Sequence, residues 1–202
     1  MTATIDTTLL CPTLPRGWLR LLMLMATGAD TAPDPAAERR FIDLVSRHNA
    51  LITKICFYFA GSNADFDDLR QDVMLNLWRG LGSFRGESSE MTWVYRVCFN
   101  TCVSTAKRNA RASMPSLEDM HAERLDTSAG GGETEERIAL LHRCIGELNP
   151  LDRSMVMMRL DGRAYEEIAE VTGLPRNTVA TRLRRSRQRL ADLMTKYEKD
   201  NY

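Results

Sequence analysis

Between Tyr165 and Leu193 two stretches of helical periodicity meet at Gly173-Leu-Pro175, and no other feature of the sequence restricts the chain so tightly. Ala169 is small where two helices would cross. Gly173, four residues on, suits a turn with positive φ, and Pro175 fits the first turn of a following helix. The second helix is therefore expected to start near Arg176. On it Val179, Leu183, Ser186, Leu190 and Leu193 recur at alternating four- and three-residue steps, a continuous inward seam. Everything between them is expected to point outward, including Arg176, Arg182, Arg184, Arg185, Arg187 and Arg189, with no acidic residue from 176 to 191.

Two short helices joined at Gly173 in this way read as a helix-turn-helix. The chain as a whole has a formal net charge of zero, so positive charge gathered on one helix is the electrostatic footprint of a phosphate-binding surface. Contacts to phosphate hold a helix in the major groove, whereas contacts to base edges decide sequence. Arg176, Asn177 and Thr178 are placed for phosphates, and Thr181, Arg184 and Arg185 for bases. The plain alternative is a basic, solvated helix of an ordinary bundle. Turn chemistry and charge agree independently on DNA. By itself the motif does not separate a repressor from any other reader of DNA.

The remaining pattern is also helical. From Arg40 to Ala60, Leu44, His48, Leu51, Ile55 and Phe59 form a stripe that Val45, Ile52 and Cys56 widen. Asp65 stands where an N-cap would, followed by Leu69, Val73 and Leu77 and an end near Gly80 or Gly82. After the turn-rich Ser83-Phe-Arg-Gly-Glu-Ser-Ser89, a third face carries Trp93, Val94, Val97, Cys98, Thr101 and Cys102, running out in Lys107, Arg108 and Arg111. Pro115, the triple glycine at 130 to 132, and Glu118, Asp119, Glu123 and Asp126 against Arg124 mark an acidic, flexible linker. Ile138, Leu141, Cys144, Ile145 and Leu148 then make a stripe that stops before Asn149-Pro150, and Met155 to Leu160 carry another to Asp161-Gly162. No run alternates with period two long enough for a strand. The expected architecture is all-α, two small helical domains joined by that linker, the second holding the helix-turn-helix.

With 202 residues and 44% hydrophobic content the chain can bury two modest cores. Its five cysteines form no CxxC pair, and their odd number fits a reducing cytoplasm better than a disulfide framework. Cys98 and Cys102 lie one turn apart, but the three histidines are scattered, so buried thiols are expected and no metal or cofactor. The apolar stretch Gly17 to Ala26 is interrupted by Arg20 and is shorter than the roughly 20 residues of a membrane span. Residues 1–37 read as a loose extension, with Met23 or Met25 as alternative starts.

Asp67-Asp-Leu-Arg-Gln-Asp72, Leu77-Trp-Arg, Ser83-Phe-Arg-Gly-Glu-Ser-Ser, Thr92-Trp-Val-Tyr-Arg96 and Asn100 together resemble domain 2 of bacterial RNA polymerase sigma factors of the extracytoplasmic-function group. Leu148-Asn-Pro-Leu-Asp-Arg, Tyr165-Glu-Glu-Ile-Ala and Asn177-Thr-Val resemble domain 4 of the same group, in the same order. The resemblance covers about residues 38 to 195, and two motifs in tandem are far more specific than either alone. It implies domain 2 at 38–112, a linker at 113–134, domain 4 at 135–197 and a tail at 198–202.

The resemblance also implies roles. Asp68, Gln71 and Asp72 would dock on the beta-prime clamp helices of core RNA polymerase, with the beta flap as a second contact. Phe84, Arg85 and Asn100 would capture a flipped base of the minus-ten element, an aromatic to stack on and an amide to read an edge being what single-strand recognition requires. Trp93 and Arg96 match positions near strand opening, although Trp93 also falls on the apolar stripe, and Lys107 and Arg108 extend the same basic surface. Arg176, Asn177, Thr178, Thr181, Arg182, Arg184, Arg185 and Arg187 would face the minus-thirty-five element. An anti-sigma protein is an expected partner, membrane insertion is not, and no catalysis is expected. Ala180 and Phe99 depart from the group's usual residues, so promoter preference does not transfer. Two other readings compete. A transcription regulator acting without polymerase leaves the first domain unexplained. A helical prenyl-transfer enzyme using Asp67, Asp68 and Asp72 for magnesium lacks a second acidic cluster.

Overall fold

The computed structural model describes residues 34–60, 63–112 and 133–200, and every regular element among them is an α-helix. They are α1 (Pro35–Phe59), α2 (Asn63–Leu81), α3 (Glu90–Ala112), α4 (Glu133–Gly146), α5 (Pro150–Leu160), α6 (Tyr165–Thr172) and α7 (Arg176–Asp200). The linker expected between α3 and α4 and the apolar stretch at 17 to 26 lie outside the described residues.

Helix starts follow side-chain chemistry. Asp34 caps α1 by accepting the Ala36 amide at 3.0 Å, with Pro35 in the first helical position, so α1 begins inside the expected extension. Asn149-Pro150 repeats the device, Asn149 Oδ1 accepting from the Asp152 amide at 3.0 Å. The second helix starts two residues before Asp65, which sits in its first turn, where a carboxylate favours the positive helix end, and not at the cap. At the other boundaries, α4 takes in residues 133 and 134 of the expected linker, and α7 reaches 200.

Helices α1, α2 and α3 pack against one another around Phe41, Leu44, Ile52, Val73, Leu77, Val94 and Cys98, all nearly solvent-free. His48, from the predicted stripe, is buried, and its Nε2 lies 2.9 Å from Glu90 at the start of α3. Arg70, also buried, donates to Asn49 at 2.8 Å and Thr53 at 3.2 Å, tying α2 to α1. Cys56, Cys98 and Cys102 are free and buried in this core; burial and the neighbouring thiol push Cys98 well above the ordinary thiol range.

Helices α4 to α7 form the second group around Ile145, Met155, Ile168 and Val179. Tertiary packing joins the two groups, because α3 lies against both α5 and α6. At that junction Arg153 of α5 donates to the Tyr58 carbonyl at 2.9 Å and, within its own group, to the Gly146 and Leu148 carbonyls. Its guanidinium stacks 5.3 Å from the Phe59 ring, and burial lowers its pKa to about 10, leaving it charged at neutral pH.

Candidate nucleic-acid interface

The turn between α6 and α7 has the geometry its residues demand. Gly173 sits at φ 70° and ψ 13°, the left-handed C-cap that side-chain-bearing residues avoid, and its N–H closes on the Ala169 carbonyl at 2.9 Å. At the start of α6 Glu167 reaches back to accept the Ala164 amide at 2.8 Å. Pro175 stands one residue earlier than expected, immediately before the helix, where its carbonyl accepts from Val179 at 3.0 Å. The following helix is not short: α7 runs 25 residues. Val179, Leu183, Ser186 and Leu190 are buried along it, as the seam predicts, and Leu193 is half-buried.

Outward from that seam lie the arginines. Arg184, Arg185, Arg187 and Arg189 are exposed and have no carboxylate partner among the described residues. Arg176 differs, pairing with Glu166 on α6, and its ring neighbour Tyr165 lies 5.8 Å below. That pairing, together with the backbone amide of its own helix start, holds the Glu166 carboxyl below its usual range. Arg182 lies on the same face, half-exposed, but is paired: it donates to Asp152 at 2.7 Å. Asp152, Asn177, Thr178, Thr181, Arg182 and Arg185 line a shallow pocket of about 420 Å³ on this face. Asn177 and Thr178, assigned to phosphate, thus share one surface with Thr181 and Arg185, assigned to bases, with a carboxylate at its edge that the sequence pattern did not announce.

The first group presents a second surface on α3. Trp93, Arg96, Asn100 and Lys107 recur at helical spacing on one side of it. Phe84, from the loop, packs on Trp93 with ring centroids 5.1 Å apart, and Gly80 lets the indole approach so closely that an added Cβ would meet it at 3.0 Å. Trp93 is half-buried. Arg85, Asn100, Lys107 and Arg108 are exposed. Arg96 is engaged: it donates to the carbonyl of Glu170 at 3.1 Å and to its carboxylate at 3.3 Å. On α2, Asp68 is exposed, Gln71 is half-exposed and Asp72 accepts from Arg108 at 3.5 Å.

Sequence reasoning missed Asp152, Glu166 and Glu170, the carboxylates that hold three of the expected DNA-facing arginines. The available signal was their position: Glu166 and Glu170 lie one turn apart on the helix that precedes the basic one.

Two family models match the chain, "Sigma-70 region 2" over residues 44–112 and "Sigma-70, region 4" over residues 138–190. The extracytoplasmic-function sigma factor SigM of Mycobacterium tuberculosis is 30% identical over 156 residues, covering 76% of each chain. The chain belongs to the sigma-70 family. The RNA polymerase sigma-H factor of Pseudomonas aeruginosa is 30% identical over 166 residues and the Escherichia coli sigma-E factor 29% over 164, each covering 75% of this chain and 84% of the relative. These relatives place it in the extracytoplasmic-function group, as a sigma factor that directs RNA polymerase to promoters. Two solved structures share the fold: CnrH bound to the cytosolic domain of CnrY, with TM-score 0.55, 23% identity and 87% of this chain covered against 96% of that one, and RpoE of Bartonella quintana bound to the anti-sigma factor NepR, with TM-score 0.54 and 18% identity over 72% of this chain and 91% of that one. In this sigma factor the region 2 match spans most of α1 to α3 and the region 4 match most of α4 to α7. No described helix is long and apolar enough to cross a membrane.

Proposed function

We propose that this sigma factor divides promoter recognition between its two helical groups. Asp68, Gln71 and Asp72 dock on the clamp helices of core polymerase. Phe84, Arg85, Trp93, Arg96, Asn100, Lys107 and Arg108 hold the minus-ten strand, and the α7 face from Arg176 to Arg187 reads the minus-thirty-five element. The observation that carries this reading is the basic face of α7, whose exposed Arg184, Arg185 and Arg187 have no counter-charge among the described residues and belong to a helix-turn-helix of regular geometry. The chain works in the cytoplasm and performs no catalysis; polymerase makes the phosphodiester bonds while this protein supplies promoter choice and strand separation. An anti-sigma protein is its expected silencer, as NepR is described with the Bartonella quintana factor.

The test is transcription from a promoter library with the purified chain and sigma-free core polymerase. Specific initiation is expected. Asp72→Arg, which sets like charges against Arg108, should weaken core binding, whereas Arg185→Ala should leave core binding intact and lower initiation only where an upstream element is present. DNA binding without any core complex would favour the regulator reading instead.

A further inference from the structure

One carboxylate stands among the basic residues of the α7 face, and its contacts on both sides define what it can do there. Asp152 lies in the first turn of α5, a helix whose start is fixed by Asn149 and Pro150 and which packs against α7. Its backbone N–H donates to Asn149 Oδ1 at 3.0 Å, and its Oδ2 receives the Asn149 side-chain amide. Its Oδ1 receives Nη1 of Arg182 at 2.7 Å. Anchored through its amide and both carboxylate oxygens, the Asp152 side chain is only 19% exposed.

Arg182 is the residue this anchor restrains. Its side chain stays 37% exposed, and only Nη1 is engaged among the described residues, so Nε and Nη2 remain as donors. Arg182 lines the pocket of about 420 Å³ together with Asn177, Thr178, Thr181 and Arg185. These neighbours offer an amide, two hydroxyls and a second guanidinium, groups that serve phosphate oxygens well. Both oxygens of Asp152 already have donors, so the carboxylate acts on DNA through Arg182 and not by accepting from a base. A guanidinium clamped along one edge has less rotamer freedom to lose on binding. It also meets a phosphate only when the duplex lies in one register on α7, the register in which Thr181 and Arg185 reach base edges. Arg187, without such a partner among the described residues, can follow the phosphates of any sequence.

We propose that Asp152 is a positioning residue that sets specificity: by holding Arg182 it ties the phosphate contact of α7 to the base contacts of Thr181 and Arg185. This rests on α7 as the reader of the minus-thirty-five element. Without the carboxylate, Arg182 becomes one more mobile cation, so binding to all DNA rises while preference for the matching element falls. The repulsion between Asp152 itself and DNA is the same for every sequence, and it cancels in the ratio of two affinities.

The experiment is filter binding of the full-length chain, across salt concentrations, to the minus-thirty-five duplex selected from the promoter library and to a scrambled duplex of equal length. It compares wild type, Asp152→Asn, Arg182→Ala and the double variant, with circular dichroism to verify helix content. Asp152→Asn keeps the size of the side chain but one acceptor oxygen where two donors converge. It should lower the ratio of matching to scrambled affinity about fivefold, the upper range for one partly exposed ion pair. It should also steepen the log–log salt slope on the scrambled duplex by about one unit. With Arg182→Ala already in place, the same change should leave the ratio unmoved. An unchanged ratio in Asp152→Asn, or an equal fall with Arg182 already gone, would overturn the proposal, because neither a role in folding nor a direct base contact requires Arg182. Should Asp152→Asn lose helix content, Arg182→Lys decides: it keeps the charge without the fork, so the ratio should fall, and an unmoved ratio sinks the idea. A wild type that binds both duplexes equally defeats the reading of α7 instead, and the dependence of the salt slope on Arg182 still decides whether Asp152 restrains it.

Discussion

The sides of α7 and α3 proposed to meet DNA are both basic, yet they stand in opposite conditions. On α7 the arginines beyond Arg182 are exposed and without carboxylate partners among the described residues, whereas on α3 Arg96 is bound to Glu170, Arg108 leans toward Asp72 and Trp93 is pinned between Phe84 and Gly80. A free cation in water meets DNA at little cost beyond releasing counterions, but an engaged one must first give up its partner. The comparison teaches that one basic face carries charge unpaired among the described residues while part of the other is already held by intramolecular partners.

The sharpest way to break this contrast is to remove the free charge. Replacing Arg184, Arg185 and Arg187 together by alanine should weaken binding to a minus-thirty-five duplex by about a hundredfold or more and flatten the log–log salt slope by about one unit for each arginine that reaches phosphate. A filter-binding series across salt concentrations measures both, and an unchanged slope would mean that the free arginines do not meet DNA. Gly80→Ala has a smaller expected effect. Its Cβ would press on the indole at 3.0 Å, so Trp93 must shift, at about 1 to 3 kcal/mol of stability by the usual cost of overpacking. Strand opening read by permanganate reactivity should fall while duplex binding by α7 persists; equal loss of both would erase the distinction between the two faces.

The smallest expected effect lies at the junction. His142 meets the Tyr58 ring edge-on with centroids 5.4 Å apart, and burial, then the nearby Lys54 charge, hold its pKa below 6.5. Because the folded value is the lower one, the unfolded chain takes up a proton first as pH falls. The neutral-histidine contribution is therefore complete above pH 6.5 and is lost progressively below it. Urea midpoints at pH 7.5 and 5.5 should differ slightly more for wild type than for His142→Phe.

Much of the architecture was legible because helices announce themselves locally. The seam from Val179 to Leu190, the stop at Gly173 and the cap at Asn149-Pro150 each depend on residues within a few positions of one another. The start of α1 is legible too, in Asp34-Pro35, although it precedes the first apolar residue of the stripe and so falls within the expected extension. The pairing of Arg182 could not be read, since its partner Asp152 lies 30 positions away on another helix. Asp161 is further still from its partners, 66 positions from Tyr95 and 107 from Lys54.

The sequence by itself determined the all-helical elements, the helix-turn-helix and the concentration of positive charge on α7, because hydrophobic period, turn chemistry and charge are properties of neighbouring residues. Only the tertiary structure decided which of those charges are free and which are held, and that Asp161 receives Lys54 and Tyr95 from the first helical group. Pairing between distant side chains depends on how whole helices dock, and helical periodicity does not encode that docking.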